Sequence, residues 1–291
     1  MTLEQLRAFV AVAEREHVTR AAAAIHRTQS AVSAAIAGLE QQSGVSLFHR
    51  VGRRIQLTEE GRQFLNEARA VIAQADAASR ALSDLAGMKR GSLTLMASQT
   101  IASYWLPPRL VAFRERHPQV AVKALIGNTA EVAQAVADGR VEIGLVEGAV
   151  RNPVLEQTQV GRDRLVIVAP LGHAWIKKPP RPADLLKEKW VLREPGSGTR
   201  SAFEAAIADK GVDVGRLNVS LELPSNEAVR LAVREGAGVS ALSELVAEAG
   251  VRFGTLAPVK FALPERAFHA LRHRERYLSK SGLAFMALVK A

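Results

Sequence analysis

Residues 28–41, TQSAVSAAIAGLEQ, determine how the N-terminal part of the chain is organised. Val32, Ile36 and Leu39 recur at helical spacing, which predicts a helix with one apolar face. The opposite face carries Gln, Ser and Ala instead of the long charged side chains that usually cover a surface helix. We infer that something flat and polar approaches this face closely, and the edge of a base pair fits that description.

A shorter helix is expected just before this one, over about residues 20–25, and the join at residues 26–28 is very short. Two helices on such a tight turn are typical of the helix-turn-helix, whose second helix enters the major groove by its N-terminal residues. On this interpretation Gln29 can pair with adenine, and Ser30 and Ser33 can reach a base or a phosphate. An ordinary two-helix corner is the alternative.

Residues 49–54, HRVGRR, place cations on both sides of a glycine before Ile55 and Leu57 resume an alternating pattern. The segment predicts a two-stranded wing tipped with Arg53 and Arg54, which suits phosphates or a narrow minor groove. The residues that we predict to contact DNA are Arg20, Thr28, Gln29, Ser30, Ser33, Arg50, Arg53 and Arg54.

An ordered series of motifs runs through this region: LRAF at 6–9, TQSAVS at 28–33, LF at 47–48 and LTEEG at 57–61. With them, residues 1–65 resemble the winged helix-turn-helix of the LysR-type transcriptional regulators. Ser30 stands where many members have Pro, and Ala34 where many have Arg or a polar residue, which leaves the operator sequence open. The resemblance implies a ligand-responsive transcription factor that binds promoter DNA as a homodimer or homotetramer and alters RNA polymerase recruitment.

A long helix is predicted after the wing. Thr58 followed by Glu59 and Glu60 is a helix start, because a hydroxyl caps the first turn and carboxylates favour its positive end. A helix of about 30 residues is roughly 45 Å long and cannot bury a full apolar stripe against the winged domain alone. Pairing with a second copy is preferred, and packing on the C-terminal domain is the alternative. The stripe is a heptad seam made of Phe64, Ala68, Val71, Ala75, Ala78, Leu82 and Leu85.

Beyond a predicted hinge at residues 87–91, GMKRG, strands alternate with helices, which predicts a parallel βαβαβ sheet. A second unit of this kind begins near Asp163. A strand at 267–272 and a closing helix from about Arg274 are expected to return to the first unit. The fold class is therefore α/β multidomain, ending in a two-lobed domain that resembles periplasmic-type binding domains.

The predicted domain division follows from these elements. Residues 1–58 form the winged helix-turn-helix DNA-binding domain, and residues 59–90 form the linker (dimerisation) helix and hinge. Residues 91–291 form the effector-binding domain. Its lobe I comprises residues 91–161 and 266–291, and its lobe II comprises residues 162–265.

Ligands of open α/β sheets bind beyond the carboxyl ends of the strands. Several predicted strand ends carry hydroxyl or amide side chains just before helices, where free N–H groups and the helix dipole favour an anion. We expect a small carboxylate, sulfur oxyanion or phosphate ester between the lobes, although Ser98, Thr129 and Thr199 could simply cap helices. The predicted effector contacts are Ser98, Gln99, Thr100, Asn128, Thr129, Glu147, Gly196, Ser197, Thr199, Ser225 and Asn226.

Charges near these strand ends qualify the expectation. Glu147 and Glu222 would repel an anion unless they hold a hydroxyl or cationic group of it, or pair with Arg. Arg200 could supply positive charge, although such a side chain is more often solvated. The strand-end segments look most like those of LysR-type members that respond to sulfur or carbon metabolites.

Composition narrows the function classes. The 291-residue chain is 48% hydrophobic and 23% charged, as in folded proteins. The net charge of +10 favours a polyanionic partner, yet residues 1–90 hold 12 Lys and Arg against 9 Asp and Glu, so bulk charge says little about DNA. No apolar run is long enough for a membrane span, and no signal-peptide core follows Glu4 and Arg7. We therefore expect a cytoplasmic protein.

Catalytic and metal-binding patterns are missing from the sequence. It contains no Cys, no HExxH and no GxSxG, and the segment PGSGT at 195–199 lacks the Lys of a P-loop. We expect a protein that is not an enzyme and uses no metal or other cofactor. A solute-binding protein and an architectural DNA-binding protein without an effector remain as alternatives.

Overall fold

The structure is a computed structural model that describes residues 1–51, 54–85 and 91–290, with only the backbone for Val51, Arg54 and Ser83. The chain divides into two compact units. The first is Met1–Gly87 with Asp138–Arg140, and the second is Met88–Ala137 with Val141–Ala291. Within the described ranges, no helix is long and apolar enough to cross a membrane.

The N-terminal unit is a winged helix-turn-helix followed by a long helix. A hydroxyl starts the helix at Gln29–Ser43, which we call the recognition helix, because the Thr28 side chain accepts a hydrogen bond from the backbone N–H of Ala31 at 3.2 Å. Gly44 ends that helix with φ 68°, in the left-handed region that favours glycine. Its elements are α1 Leu3–Arg15, α2 Val18–Ala24, α3 Gln29–Ser43, β1 Phe48–Val51, β2 Arg54–Leu57 and α4 Glu59–Leu85.

The predicted apolar face of α3 is confirmed. Val32, Ile36 and Leu39 are buried and pack against α1. Glu40 fixes the next segment, since its Oε1 accepts hydrogen bonds from the backbone N–H groups of Leu47 at 2.7 Å and Phe48 at 3.1 Å. This carboxylate therefore sets where β1 leaves the recognition helix.

The wing is an antiparallel pair in which Phe48 lies opposite Leu57 and Arg50 opposite Ile55. Arg53 lies outside the described residues, and only the backbone of Arg54 is described. The predicted hinge at 87–91 also falls outside them, except for Gly91.

The long helix α4 begins where the sequence predicts, and the Thr58 hydroxyl accepts a hydrogen bond from the backbone N–H of Gly61 at 2.9 Å. The predicted seam divides into two kinds of position. Ala68 is fully buried, whereas Val71, Leu82 and Leu85 are 47%, 68% and 83% exposed. Half of the seam is therefore an apolar surface of the single chain.

The C-terminal unit contains strands and helices in alternation. A π-helical turn, Ile101–Trp105, precedes its first α-helix, and 3-10 turns lie at Pro182–Lys187 and Val214–Arg216. The remaining elements are β3 Ser92–Ser98, α5 Leu106–Arg116, β4 Ala121–Gly127, α6 Thr129–Ala137, β5 Ile143–Glu147, β6 Leu155–Ala169, α7 Ala174–Lys177, β7 Lys189–Arg193, α8 Gly198–Ala208, β8 Asn218–Leu223, α9 Asn226–Arg234, β9 Ser240–Ser243, α10 Glu244–Arg252, β10 Ala257–Val259, β11 Glu265–His273 and α11 Lys280–Lys290.

The main sheet has seven strands in the order β10-β6-β11-β5-β3-β4, with β9 also paired to β6. Strands β3, β4 and β5 are parallel, as predicted, but β11 is antiparallel to both β5 and β6. The predicted parallel βαβαβ unit is therefore confirmed, and antiparallel strands extend the sheet beyond it. The chain leaves lobe I along β6 and returns along β11, so these two neighbouring strands must run in opposite directions.

Two strands connect the lobes. β6 pairs with β11 from Leu155 to Arg164, and its last residues pair with β9 and β10 in lobe II. Lobe I packs around Phe113 and Phe285, and lobe II packs around Trp190 and Phe203. Each lobe therefore has its own core, and the polar strand ends lie between them.

The closing helix starts later than predicted. α11 begins at Lys280, whereas the sequence pattern suggested Arg274. Arg274 donates a hydrogen bond to the backbone carbonyl of Pro153, and Arg276 donates two to the carbonyls of Val136 and Ala137. These side chains hold the segment as an extended connection.

Candidate functional site

The candidate DNA-contacting face lies on α3. Gln29, Ser30 and Ser33 are exposed on the side opposite the buried Val32 and Ile36. The Thr28 and Ser30 hydroxyls lie 3.1 Å apart at the start of the helix. Arg20 on α2 and Arg50 on β1 are also exposed, so cations flank a surface of short polar side chains.

Sequence reasoning missed Thr19 on α2. Its hydroxyl donates a hydrogen bond to Oε1 of Gln29 at 3.2 Å. That bond fixes the orientation of the Gln29 carboxamide in the absence of DNA and leaves its NH₂ group free to donate. No local pattern in the sequence pairs these two residues, which lie ten positions apart on different helices.

The second candidate site lies where the lobes meet. Ser98 at the end of β3 lies next to Gly127 at the end of β4 in a parallel register, and Glu147 ends β5. From lobe II, Ser197 caps α8 and Ser225 caps α9. The structure thus gathers the predicted strand ends of lobe I opposite two helix N-termini of lobe II.

The lobes touch through specific atoms. The backbone N–H of Ala130 donates to the carbonyl of Gly196 at 3.2 Å. A methyl group built on Gly198 would lie only 2.5 Å from Oγ1 of Thr129 and 3.1 Å from Oε2 of Glu147. Glycine is therefore required at this point of closest approach.

Asn226 is the most connected of the predicted effector residues and is completely buried. Its backbone N–H donates to Oε1 of Gln99 at 2.7 Å, and its Nδ2 donates to Oγ1 of Thr100 at 3.1 Å. Its Oδ1 accepts a hydrogen bond from Nη1 of Arg193 at 2.7 Å. One asparagine thereby joins the two lobes.

Other predicted effector residues cap helices or bond to a neighbouring element. The Asn128 side chain accepts from the backbone N–H of Glu131 at 3.0 Å and so caps α6, while Ser225 caps α9 through Ala228 at 3.0 Å. Thr199 is buried and accepts a hydrogen bond from Nη1 of Arg266 at 3.1 Å. For Ser225 the capping contact is therefore observed, whereas Thr199 bonds to another element.

Ser98 differs from all of these. It is 2% exposed, and among the residues that the structure describes its hydroxyl has no hydrogen-bond partner. A buried hydroxyl without a partner is unusual, because its lost hydration is not replaced.

Three arginines lie near the cleft, and each has a carboxylate partner. Arg193 binds both carboxylate oxygens of Glu194 through Nε and Nη2, whereas the same two nitrogens of Arg266 both donate to Oδ2 of Asp163. Sequence reasoning missed Arg193 and Arg266, because their partners Asn226 and Thr199 lie 33 and 67 residues away in the sequence.

Arg200 does not supply free positive charge. Its side chain bonds to Glu204 at 2.7 Å and to Glu222 at 2.6 Å. Burial alone would lower the pKa of Arg200, but these hydrogen bonds outweigh it and raise the pKa. Glu222 pairs with an arginine, which was one of the predicted possibilities.

A further contact between the lobes involves Tyr104, whose hydroxyl donates to Oε1 of Glu227 at 3.1 Å. Burial and the neighbouring Glu227 carboxylate raise the pKa of Tyr104 above its ordinary value. Among the residues that the structure describes, no group of three or more His, Asp or Glu could hold a metal ion.

Comparison with known proteins identifies the family. Residues 3–62 match the family described as bacterial regulatory helix-turn-helix protein, lysR family, and residues 86–291 match the LysR substrate binding domain. The chain is a LysR-type transcriptional regulator. It carries an effector-binding domain and is not an enzyme.

Curated relatives extend over nearly the whole regulator. It is 34% identical over 288 residues to the uncharacterized HTH-type transcriptional regulator YeiE of Escherichia coli, covering 98% of this chain and 96% of that one. It is 31% identical over 290 residues to a probable RuBisCO transcriptional regulator of Trichormus variabilis, covering 98% and 86%.

Solved structures share the fold of the regulator. A full-length OxyR variant from Pseudomonas aeruginosa has a TM-score of 0.72 at 22% identity, covering all of this chain and 95% of that one. The Synechocystis CcmR regulatory domain in complex with 2-PG has a TM-score of 0.63 at 25% identity, covering 69% and 96%.

Proposed function

We propose that this regulator binds a palindromic promoter site through the exposed face of α3 and through the wing. A surface of Gln29, Ser30 and Ser33 lets the helix approach base edges closely, while Arg20 and Arg50 lie ready for phosphates. The exposed Leu82 of α4 supports assembly into a homodimer or homotetramer. A two-fold dimer places two recognition helices one or more duplex turns apart.

The proposed division of labour follows the predicted domains: residues 1–58 bind DNA, residues 59–90 dimerise, and residues 91–291 bind the effector. Such a protein must reach both promoter DNA and RNA polymerase, so the cytoplasm is the proposed compartment. Arg53 and Arg54 at the tip of the wing are proposed as phosphate contacts.

The proposed effector is a small, anionic metabolite bound between lobes I and II. The observation that carries this is the hydroxyl of Ser98, which is buried at a strand end without a partner. An unsatisfied buried hydroxyl costs about 1–3 kcal/mol, which a ligand that bonds to it would offset. The N-termini of α6, α8 and α9 lie nearby and favour negative charge.

The relatives narrow the choice of metabolite. The probable RuBisCO regulators and the CcmR domain in complex with 2-PG support a carbon metabolite, and 2-PG is the first compound to test. A sulfur oxyanion remains the second choice. Effector binding is expected to change DNA affinity through a coupling of about 1–3 kcal/mol.

Substitution at Gln29 tests the DNA interface. Replacing Gln29 with Ala should weaken operator binding about 5- to 150-fold, the effect of losing ~1–3 kcal/mol of base discrimination, with little change on random DNA. Gln41→Ala is the matched control, because Gln41 is exposed on the same helix about 18 Å further along. Affinity on the two duplexes is measured by fluorescence anisotropy. Equal losses on both would contradict the assignment.

Calorimetry of the full chain with 2-PG and other small anions separates the proposed function from its rivals. Saturable binding that alters the DNA footprint supports a ligand-responsive regulator. Saturable binding without sequence-specific DNA binding favours a solute-binding protein. Specific DNA binding without any saturable ligand favours an architectural protein.

A further inference from the structure

Lobe I supplies an acceptor to α9 of lobe II. Gln99, in lobe I, accepts the backbone N–H of Asn226, the first residue of α9, at 2.7 Å. The first N–H groups of a helix have no partner within it and are the groups that bind anions. The Gln99 carboxamide oxygen thus takes a position that suits an oxygen of an anionic ligand.

Glu147 lies beside the start of α8. Its carboxylate is 3% exposed and lies beside Gly198, the first residue of α8, where a built methyl group would be 3.1 Å from Oε2. The same oxygen accepts a hydrogen bond from Oγ1 of Thr129 at 3.3 Å, at the start of α6. A negative charge already lies near the positive ends of two helices.

Glu147 has no cationic partner in the part of the chain that the structure describes. Within the ranges that the structure describes, none of the ion pairs involves Glu147, and Arg193, Arg200 and Arg266 each pair with other carboxylates. A buried carboxylate without a cation depends on helix dipoles and hydrogen bonds for its stability. An incoming anion would therefore be repelled by the full negative charge of Glu147.

An independent observation points to a ligand at the same place. Ser98 lies one residue before Gln99, is 2% exposed, and has a hydroxyl without a partner. The cleft therefore combines two features. The N-termini of α8 and α9 already have Glu147 and Gln99 beside them, while the buried hydroxyl of Ser98 lacks a partner among the described residues.

We propose that Gln99 is an internal acceptor that joins the lobes at the start of α9, that Glu147 holds a negative charge at the starts of α6 and α8, and that an anionic effector binds by displacing Gln99 and competing with Glu147. This inference rests on the proposed function, because it concerns the same cleft. Effector binding then breaks a contact that already exists between the lobes. It does not close an open cleft. Glu147 also sets specificity, since a ligand must compete with a resident negative charge for the helix ends.

Hydrogen exchange of the effector-free full chain tests the contact between the lobes. Gln99→Ala should speed amide exchange at the start of α9 by about tenfold or more, because a hydrogen bond that joins the lobes is lost. Glu248→Gln is the control, since Glu248 is exposed on α10 away from these contacts. Unchanged exchange in Gln99→Ala would overturn the proposal.

Calorimetric titration with inorganic sulfate at constant ionic strength tests the competition. Glu147→Gln should bind sulfate about tenfold more tightly than the wild type, because a repulsive charge is removed while the shape is kept. The control Glu248→Gln should match the wild type. Equal or weaker binding by Glu147→Gln would refute displacement. Faster exchange without sulfate binding by any variant would support the contact between the lobes and count against the anionic effector.

Discussion

Ser98 and Ser243 show how differently two buried serines can contribute. Both are at most 2% exposed, but Ser243 donates to Oδ1 of Asp163 at 2.8 Å while Ser98 has no partner. Ser98→Ala should leave the unfolding free energy unchanged or raise it by up to about 1 kcal/mol, since no hydrogen bond is lost. The same change should weaken effector binding. Urea denaturation and calorimetry measure the two effects.

Ser243→Ala is the matched control for that prediction. It removes a donor from a buried carboxylate and should lower the unfolding free energy by about 1–3 kcal/mol. If Ser98→Ala were as destabilising as Ser243→Ala, the Ser98 hydroxyl would have a structural role and would no longer point to a ligand.

Tyr104 makes the contact between the lobes sensitive to alkaline pH. Burial and Glu227 raise the pKa of Tyr104 above 10.0, so the folded state favours the neutral phenol. The resulting stabilisation is complete below pH 10.0 and is lost as pH rises from 10.0 through the folded-state pKa. The difference in melting temperature between the wild type and Tyr104→Phe should therefore shrink from about pH 9 to about pH 11. A constant difference would exclude this titration.

At the scale of elements, α4 presents an apolar surface that the single chain does not cover. Leu82 is 68% exposed, so Leu82→Glu should leave the helix content unchanged while weakening self-association at least about tenfold. Gln74→Glu adds the same charge at another exposed position of α4 and serves as the control. Sedimentation velocity measures the oligomeric state. If both variants associated like the wild type, the exposed part of the seam would not be the interface.

Elements with local signals were predictable from the sequence. Thr28 starts α3 and Thr58 starts α4 because a hydroxyl cap acts within one helical turn. Ser225 starts α9 in the same way, since its side chain accepts a hydrogen bond from the backbone N–H of Ala228. Such signals need only a few neighbouring residues.

Elements set by tertiary contacts were harder to place. The closing helix predicted from about Arg274 begins at Lys280, because Arg274 and Arg276 bond to the carbonyls of Pro153 and Val136, 121 and 140 residues away. In the candidate cleft, Thr100 lies 126 residues from its partner Asn226, and Asp163 lies 103 residues from its partner Arg266. Strand ends therefore indicated which residues face the cleft, whereas their bonds depended on how the two lobes meet.

At the scale of the whole effector-binding domain, one buried ion pair joins the crossing strands. Arg266 on β11 binds Asp163 on β6, with side chains 5% and 1% exposed. The pair also reaches α8 through Thr199 and the end of β9 through Ser243. Four elements from both lobes thus share one network, which explains why the lobes meet in a defined geometry.

Breaking this pair should destabilise the domain far more than breaking a surface pair. Asp163→Asn leaves the buried guanidinium of Arg266 without a counter-charge, so the unfolding free energy should fall by about 3–5 kcal/mol. Glu265→Gln is the control, because Glu265 is half exposed and lies 3.6 Å from Arg162, where a surface pair contributes at most about 1 kcal/mol. Chemical denaturation of the full chain, followed by tryptophan fluorescence, compares the two.

Replacing both charges with Asp163→Leu and Arg266→Met should recover most of the loss, since no uncompensated charge remains buried. If Asp163→Asn cost no more than Glu265→Gln, the crossing strands would hold the lobes without this network.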